Sequence, residues 1–408
     1  MTASAPSPRP ATRPFLALST TLSVQAMATI AMTAPSVMAP VVAPLLGVPP
    51  QRVGWFVGLA YLAAMFSGLA AGGRAARTGP VRMSRWALVC SAAGLLIAAA
   101  ASVPALSPLL LLAPIAIGIA YGLPNPTASM LLGVHAPPDR RGLFFSIKQT
   151  GVPIGVGITG LAVPLLLAAM PWPAALAVLA AATLLLAAVL QSATVLDPRA
   201  AAGQAPAPGA SLRALASPLR LVWRTRALRR LGIASFVFSM TQLCFTTFLV
   251  SYLKLEHALS LAAAAGVLSV SQVLSVAARI FWGQVADRWI TPPRLLGMLG
   301  LAMAVAASLL ALLPVGSPVG LMTAAALLCA ATTMAWNGVF FAELARRVPG
   351  PELASITGGT QFLTFCGAMT GPVAFATLVG PLGSHGLTYL VLAAPPLAVG
   401  LWFLSSAD

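Results

Sequence analysis

Residues 143–169 read LFFSIKQTGVPIGVGITGLAVPLLLAA, a stretch with a single charge, Lys148. About 20 predominantly apolar residues suffice to carry a helix across the hydrocarbon core of a bilayer, and this run exceeds that length. A spanning strand would alternate polar and apolar residues over about ten positions. This run is apolar on all sides, so helix is the reading. Working outward, similar runs occupy 15–40, 53–73, 84–103 and 108–133 before it and 173–196 after it. Beyond a polar stretch the pattern resumes at 231–253, 261–282, 295–313, 318–341, 355–380 and 385–404. An all-α integral membrane protein of twelve transmembrane helices, in two sets of six, is expected.

Composition agrees. Of 408 residues, 59% are hydrophobic and 7% charged, with a mean hydropathy of +0.93. A soluble domain carries about 25% charged residues, so both a soluble enzyme and a disordered chain are excluded. The 23 Lys and Arg against 7 Asp and Glu give a formal charge of +16. The arginines lie in short gaps between apolar runs, which points to anionic lipid headgroups as partner rather than nucleic acid. With both termini cytoplasmic, 19 of the 23 basic residues fall in inner segments, Arg52 and Lys254 fall outside, and Lys148 and Arg279 fall within spans. That bias predicts a multi-pass protein of the cytoplasmic (inner) membrane. The first run is too long for a signal peptide's apolar region and reads as a retained helix. Cys90, Cys244, Cys329 and Cys366 stand apart in apolar segments, without zinc or disulfide spacing.

The expected organisation is a tail at 1–14, a six-helix bundle at 15–196, a basic linker at 197–230 and a second bundle at 231–408. In the linker, Leu212, Leu215, Leu219 and Val222 recur at helical spacing, as in a helix on the membrane surface. An unstructured tether is the alternative. Laid over itself with a shift of 212, the chain places Asn125 on Asn337 and Gln149 on Gln361; a shift of 211 places Gly72 on Gly283. Two related halves with a substrate between them near the midplane form a recurrent transporter plan.

After the eighth span the chain reads Gly283-Gln284-Val285-Ala286-Asp287-Arg288. This resembles the signature loop of the major facilitator superfamily, a glycine followed by a small apolar step and Asp-Arg. The matching loop of the first half keeps Gly72, Arg77 and Gly79, but Ala76 stands where the family carries aspartate. The resemblance implies a network that locks one face of a transporter closed, weaker in the first half, with Asp287 bearing more of the load and Arg288 beside it.

Polar groups that persist inside a membrane mark helix packing or a watery cavity. Lys148 lies about 10 Å along the fifth helix from Arg141, next to Gln149, and its neighbours Gly151 and Gly155 suit close packing or leave room for a ligand. It either lines the central cavity as a site for an anion or reaches back to the inner headgroups. Arg279 extends a stripe of Gln272 and Ser275 on the eighth helix, and either joins the site or pairs with the signature loop. Thr21, Gln25, Thr29 and Thr33 stripe the first helix; Ser239, Gln242 and Thr246 stripe the seventh. Asn125, between Pro124 and Pro126, lies near Tyr121 in the fourth span, and Trp336 and Asn337 take the matching place in the tenth. The resemblance implies that the first, fourth, seventh and tenth helices line the cavity.

All seven acids and all three histidines fall in loops or at span ends, which disfavours an efflux pump for cations. The expected function is secondary active transport of a small solute, an organic anion first, by alternating access, with a proton as the candidate coupling ion. Efflux of hydrophobic or cationic compounds and a non-transporting membrane sensor are the alternatives. The sequence contains no metal cluster, catalytic constellation or Walker motif, so no enzyme, metal or cofactor is expected. A monomer is expected.

Overall fold

The computed structural model describes residues 13–137, 140–197, 219–348 and 352–405. The spanning helices run in order as α1 (Pro14–Leu45), α2 (Val53–Thr78), α3 (Pro80–Ala100), α4 (Leu112–Gly122 continued by Pro124–His135), α5 (Arg141–Gln149 continued by Gly151–Ala169) and α6 (Trp172–Val189). They continue as α7 (Arg226–Leu255), α8 (Leu261–Arg288), α9 (Pro292–Ala311), α10 (Val319–Thr333 continued by Trp336–Arg347), α11 (Glu352–Leu382) and α12 (His385–Leu392 continued by Ala394–Ser405). Eleven are long and apolar enough to cross a membrane over their described residues, and α2, with 26 residues, supplies the twelfth.

The breaks have local causes. Pro124 opens the second segment of α4; it has no backbone N–H to donate to a carbonyl of the preceding turn. In α5 the break falls at Thr150, whose hydroxyl donates to the Ile147 carbonyl at 2.6 Å. In α10 it falls at Met334 and Ala335. Asn125 and Asn337 therefore each begin the lower segment of a broken helix, so the sequence repeat recurs as a repeat of backbone shape.

Three sequence expectations change. The stretch Gly283–Arg288 forms the last turns of α8 rather than a loop, and the backbone from Gly72 to Thr78 is likewise helical. These apolar-edged segments satisfy their own backbone groups by continuing the helix, and the turn itself shrinks to Gly79, at φ +92°. Helix α7 begins at Arg226, so Arg226–Arg230 leave the linker. Leu212 and Leu215 lie outside the described residues. Residues 219–224 form a short helix with Val222 buried against the second half.

The start of α1, the end of α12, Asp197 and residues 219–225 define one side of the molecule, here the linker side. The halves meet away from it. A side chain at Gly54 of α2 would stand 2.2 Å from the Pro372 carbonyl of α11, and one at Gly160 of α5 would stand 2.7 Å from the Ala265 carbonyl of α8. Glycine alone lets backbones pass this closely. Phe248 of α7 stacks on Phe375 of α11 at 4.1 Å and closes the same end. Towards the linker side, the second segments of α4 and α10 pack chiefly within their own halves, and Ile280 and Phe281 of α8 are exposed. The bundle is sealed at one end and parts at the other.

Candidate functional site

Between the halves lies a central cavity lined by Thr29, Thr33 and Ser36 of α1, Tyr61 of α2, Tyr121 of α4 and Gln242 of α7, with Val152 of α5 and Met334 of α10 completing the wall. Its empty space is about 490 Å³ including the opening. Hydroxyls and an amide make its polar wall, and none of its described lining side chains is charged. Several threonines satisfy themselves along their own helix, as Thr29 does by donating to the Gln25 carbonyl at 2.8 Å and Thr246 to the Gln242 carbonyl at 3.0 Å. Their oxygens keep acceptor capacity for a guest.

Lys148 lies inside the protein, 1% exposed. Its Nζ donates to Gln25 Oε1 at 2.8 Å, to Asn125 Oδ1 and to Gln149 Oε1 at 3.5 Å. Three helices, α1, α4 and α5, thus supply three amide oxygens for three ammonium hydrogens. These oxygens satisfy its hydrogen bonds without neutralising its charge. The headgroup alternative for Lys148 is overturned, because the chain turns inward. Gly151 and Gly155 serve close packing: side chains there would meet Gln25 Cβ at 2.9 Å and the Ala26 carbonyl at 2.5 Å. Without that contact α1 could not present Gln25 to the lysine.

Arg279 approaches the same place from the other half, its Nη1 donating to the Gln149 carbonyl at 3.4 Å. It lies within electrostatic reach of Tyr121, whose ring meets that of Tyr61 edge-on at 5.6 Å. Trp336, 1% exposed, donates its ring N–H to Gln242 Oε1 at 3.1 Å, which fixes the amide that faces the cavity. Asn337 and Gln361 do not join this cluster and make no side-chain hydrogen bond among the described residues; Gln361 sits on unbroken α11, where no turn delivers it inward.

The profile of the Major Facilitator Superfamily matches residues 21–372. The chain belongs to the major facilitator superfamily. An uncharacterised MFS-type transporter from two strains of Mycobacterium tuberculosis is 31% identical over 178 residues, 42% of this chain; the chain spans only 36% of the length of those relatives. Among solved structures, a mutant of the peptide transporter POT in complex with sulfate superposes with TM-score 0.77 at 17% identity, covering 95% of this chain and 93% of that one. A mutant of the nucleoside transporter NupG gives 0.73 at 15%, covering 95% and 99%. An inward-facing, occupied bacterial homologue of the human lysosomal transporter Spinster gives 0.69 at 13%, covering 95% and 94%. All share the fold, and the chain is a multi-pass membrane protein of this superfamily.

The superfamily's signature residues behave differently from expectation. Asp287 and Arg288 are exposed at the end of α8, and Asp287 has no ion-pair partner among the described residues. A side chain at Gly283 would meet nothing within 4 Å. Asp287 therefore bears no load in this state, because the parted halves leave its surroundings open. In the first half Arg77 is exposed and the side-chain surroundings of Gly72 lie outside the described residues. There Asp197 takes over: its carboxylate accepts from the backbone N–H of Val81 at 2.6 Å and of Arg82 at 3.2 Å.

Several residues escaped the sequence reading. Tyr61 was an available signal, a lone phenol in an otherwise apolar helix. Ser36 continues the first-helix stripe by one step, three residues after Thr33. Glu343 is fully buried on α10, paired with Arg346 at 2.9 Å and with Arg347, and its spacing to both arginines was legible.

Proposed function

We propose that this chain is a secondary active transporter for a small organic anion, with Lys148 as the group that receives the negative charge. The observation that carries this reading is a buried ammonium whose hydrogen bonds end only on neutral amides. A charge held in a membrane interior without a counter-ion is costly. An anion that enters lowers that cost, and the amides of Gln25, Asn125 and Gln149 can turn to the guest's remaining polar atoms. Gln242, held by Trp336, and the hydroxyls of Thr29, Thr33 and Tyr61 would bind its body, with Asn337 and Gln361 placed to join after a rearrangement. The basic segments favour a cytoplasmic linker side, against anionic lipids, and on that reading the open state faces inward. Alternating access then requires the seam at Gly54 and Gly160 to part while the linker side closes around Asp287, Arg288, Gly283, Gly72, Arg77 and Gly79. A proton is the proposed coupling ion, carried with the weak acid.

Purified protein in proteoliposomes tests this with a panel of radiolabelled carboxylates. Lys148→Met should lower anion uptake about a hundredfold, the loss expected when a buried charge pair loses one member. Lys148→Arg should retain part of it. Uptake kinetics unchanged in Lys148→Met would remove the lysine from the site, and uptake of cationic dyes in place of carboxylates would favour the efflux reading.

A further inference from the structure

Lys148 belongs to the first half and Arg279 to the second, yet both cations end on one residue: Nζ on the side-chain oxygen of Gln149 at 3.5 Å, Nη1 on its backbone carbonyl at 3.4 Å. Arg279 is under-used there. Its Nε is buried without a hydrogen-bond partner, and so is Oε1 of Gln272, two turns earlier on α8 and 2% exposed. Neither cation pairs with a carboxylate among the described residues. Among the described residues, Asp197 pairs with Arg82, Glu256 with His385 and Glu343 with Arg346 and Arg347, while Asp287 stands exposed. Two buried positive charges, one from each half, therefore converge on Gln149, beside a cavity whose described lining carries none.

We propose that Arg279 is the second half of a divided anion site, and that the substrate is a small dianion whose two acidic groups are shared between Lys148 and Arg279. The proposal rests on the anion reading of Lys148 and goes further by fixing the number of charges and the half that supplies each. A monoanion leaves one cation uncompensated in a low-dielectric site; a dianion compensates both. Like charges on opposite halves repel when the site is empty, which favours the parted linker side seen here. A dianion reverses that interaction, and because it touches both halves it binds the closed arrangement better than the open one, the differential affinity a ligand needs to shift a conformation. The orphaned Nε of Arg279 gives the guanidinium a second donor for bidentate contact with a carboxylate.

The test compares acids matched in chain length, succinate against butyrate and malonate against propionate, by thermal shift and by competition in binding to the purified full-length protein. The dicarboxylate of each pair should bind about tenfold or more tightly than its partner, one charge contact in the arithmetic of affinity. Arg279→Gln should narrow that gap to about twofold, and Arg279→Lys should restore part of it. Equal binding within each pair of wild-type protein, which needs no variant, overturns the proposal, as does a gap that survives in Arg279→Gln. If monocarboxylates bind in a Lys148-dependent way without a dicarboxylate advantage, the divided site fails and the anion reading stands. If no acid of either kind binds, or Lys148→Met binds both unchanged, the anion reading fails and this proposal falls with it.

Discussion

The two turns that join α2 to α3 and α8 to α9 occupy equivalent places in the two halves, and they are built differently. In the first half, Gly79 at φ +92° makes the turn, and Asp197, from the far end of the same bundle, caps the first backbone N–H groups of α3. In the second half, Thr291 precedes Pro292 without any side-chain cap on α9, while Asp287 points into open surroundings. One junction is fixed by a carboxylate that never leaves its own bundle. The other leaves its carboxylate exposed, without an ion-pair partner among the described residues. With Ala76 where the family carries aspartate, the first junction is anchored by Asp197 instead.

The largest expected contrast comes from the glycines. Gly79→Val combines a left-handed backbone with a Cβ 2.5 Å from Asp197 Cγ, and should cost about 2–3 kcal/mol of apparent stability in detergent, read by thermal denaturation. Gly283→Ala, in the open last turns of α8, should be neutral or stabilise by up to about 1 kcal/mol. Next, Asp197→Ala should destabilise by about 1–2 kcal/mol by stripping two capped N–H groups, whereas Asp287→Ala should stay within about 0.5 kcal/mol. Equal losses in the two would erase the distinction drawn here.

Acid titration sharpens the same contrast. Burial raises the Asp197 carboxyl above its ordinary value, despite the bonds from Val81 and Arg82 and the nearby Arg82 charge. Stability relative to Asp197→Asn should therefore fall as pH rises through that raised value, because the folded state favours the protonated form. At Glu256, which accepts from the N–H groups of His385 and Gly386 at the start of α12, burial pushes the carboxyl up but those bonds and the His385 ring outweigh it and hold it low. Its contribution is present above the ordinary carboxylate range and lost as pH falls through the depressed value, so Glu256→Gln should flatten the acid limb of the stability profile. The smallest effect concerns motion: Asp287→Asn should slow flux by a few-fold with dissociation constants unchanged, and lost binding with intact cycling would count against a gating role.

The fold was legible because a spanning helix is specified by length and hydropathy, quantities local in sequence; each predicted span lies within a few residues of its helix. Lys148, Gln25, Asn125 and Gln149 were also legible, since each is a polar residue at membrane depth. Their convergence was not: Gln25 and Lys148 are 123 positions apart, and only the packing of Gly151 and Gly155 on α1 brings them together. The same holds for Asp197, which reads as an ordinary loop residue until the turn at Gly79 is built against it. Asn337 and Gln361 illustrate the converse, residues that a repeat pattern marks but that this arrangement leaves apart.

Apart from the bond from Arg279 to Gln149, the contacts that cross between the halves have a common character. Glycines lie against carbonyls at Gly54 and Gly160, a serine hydroxyl of α8 donates to the Gly157 carbonyl at 2.9 Å, and the Cys366 thiol meets the Met65 thioether at 3.8 Å. Every ion pair between described residues stays within one half. Such a hinge line can be unzipped without stranding a charge in oil, so the resistance to opening it is soft dispersion spread along its length, and a modest push at the other end is enough to set it rolling.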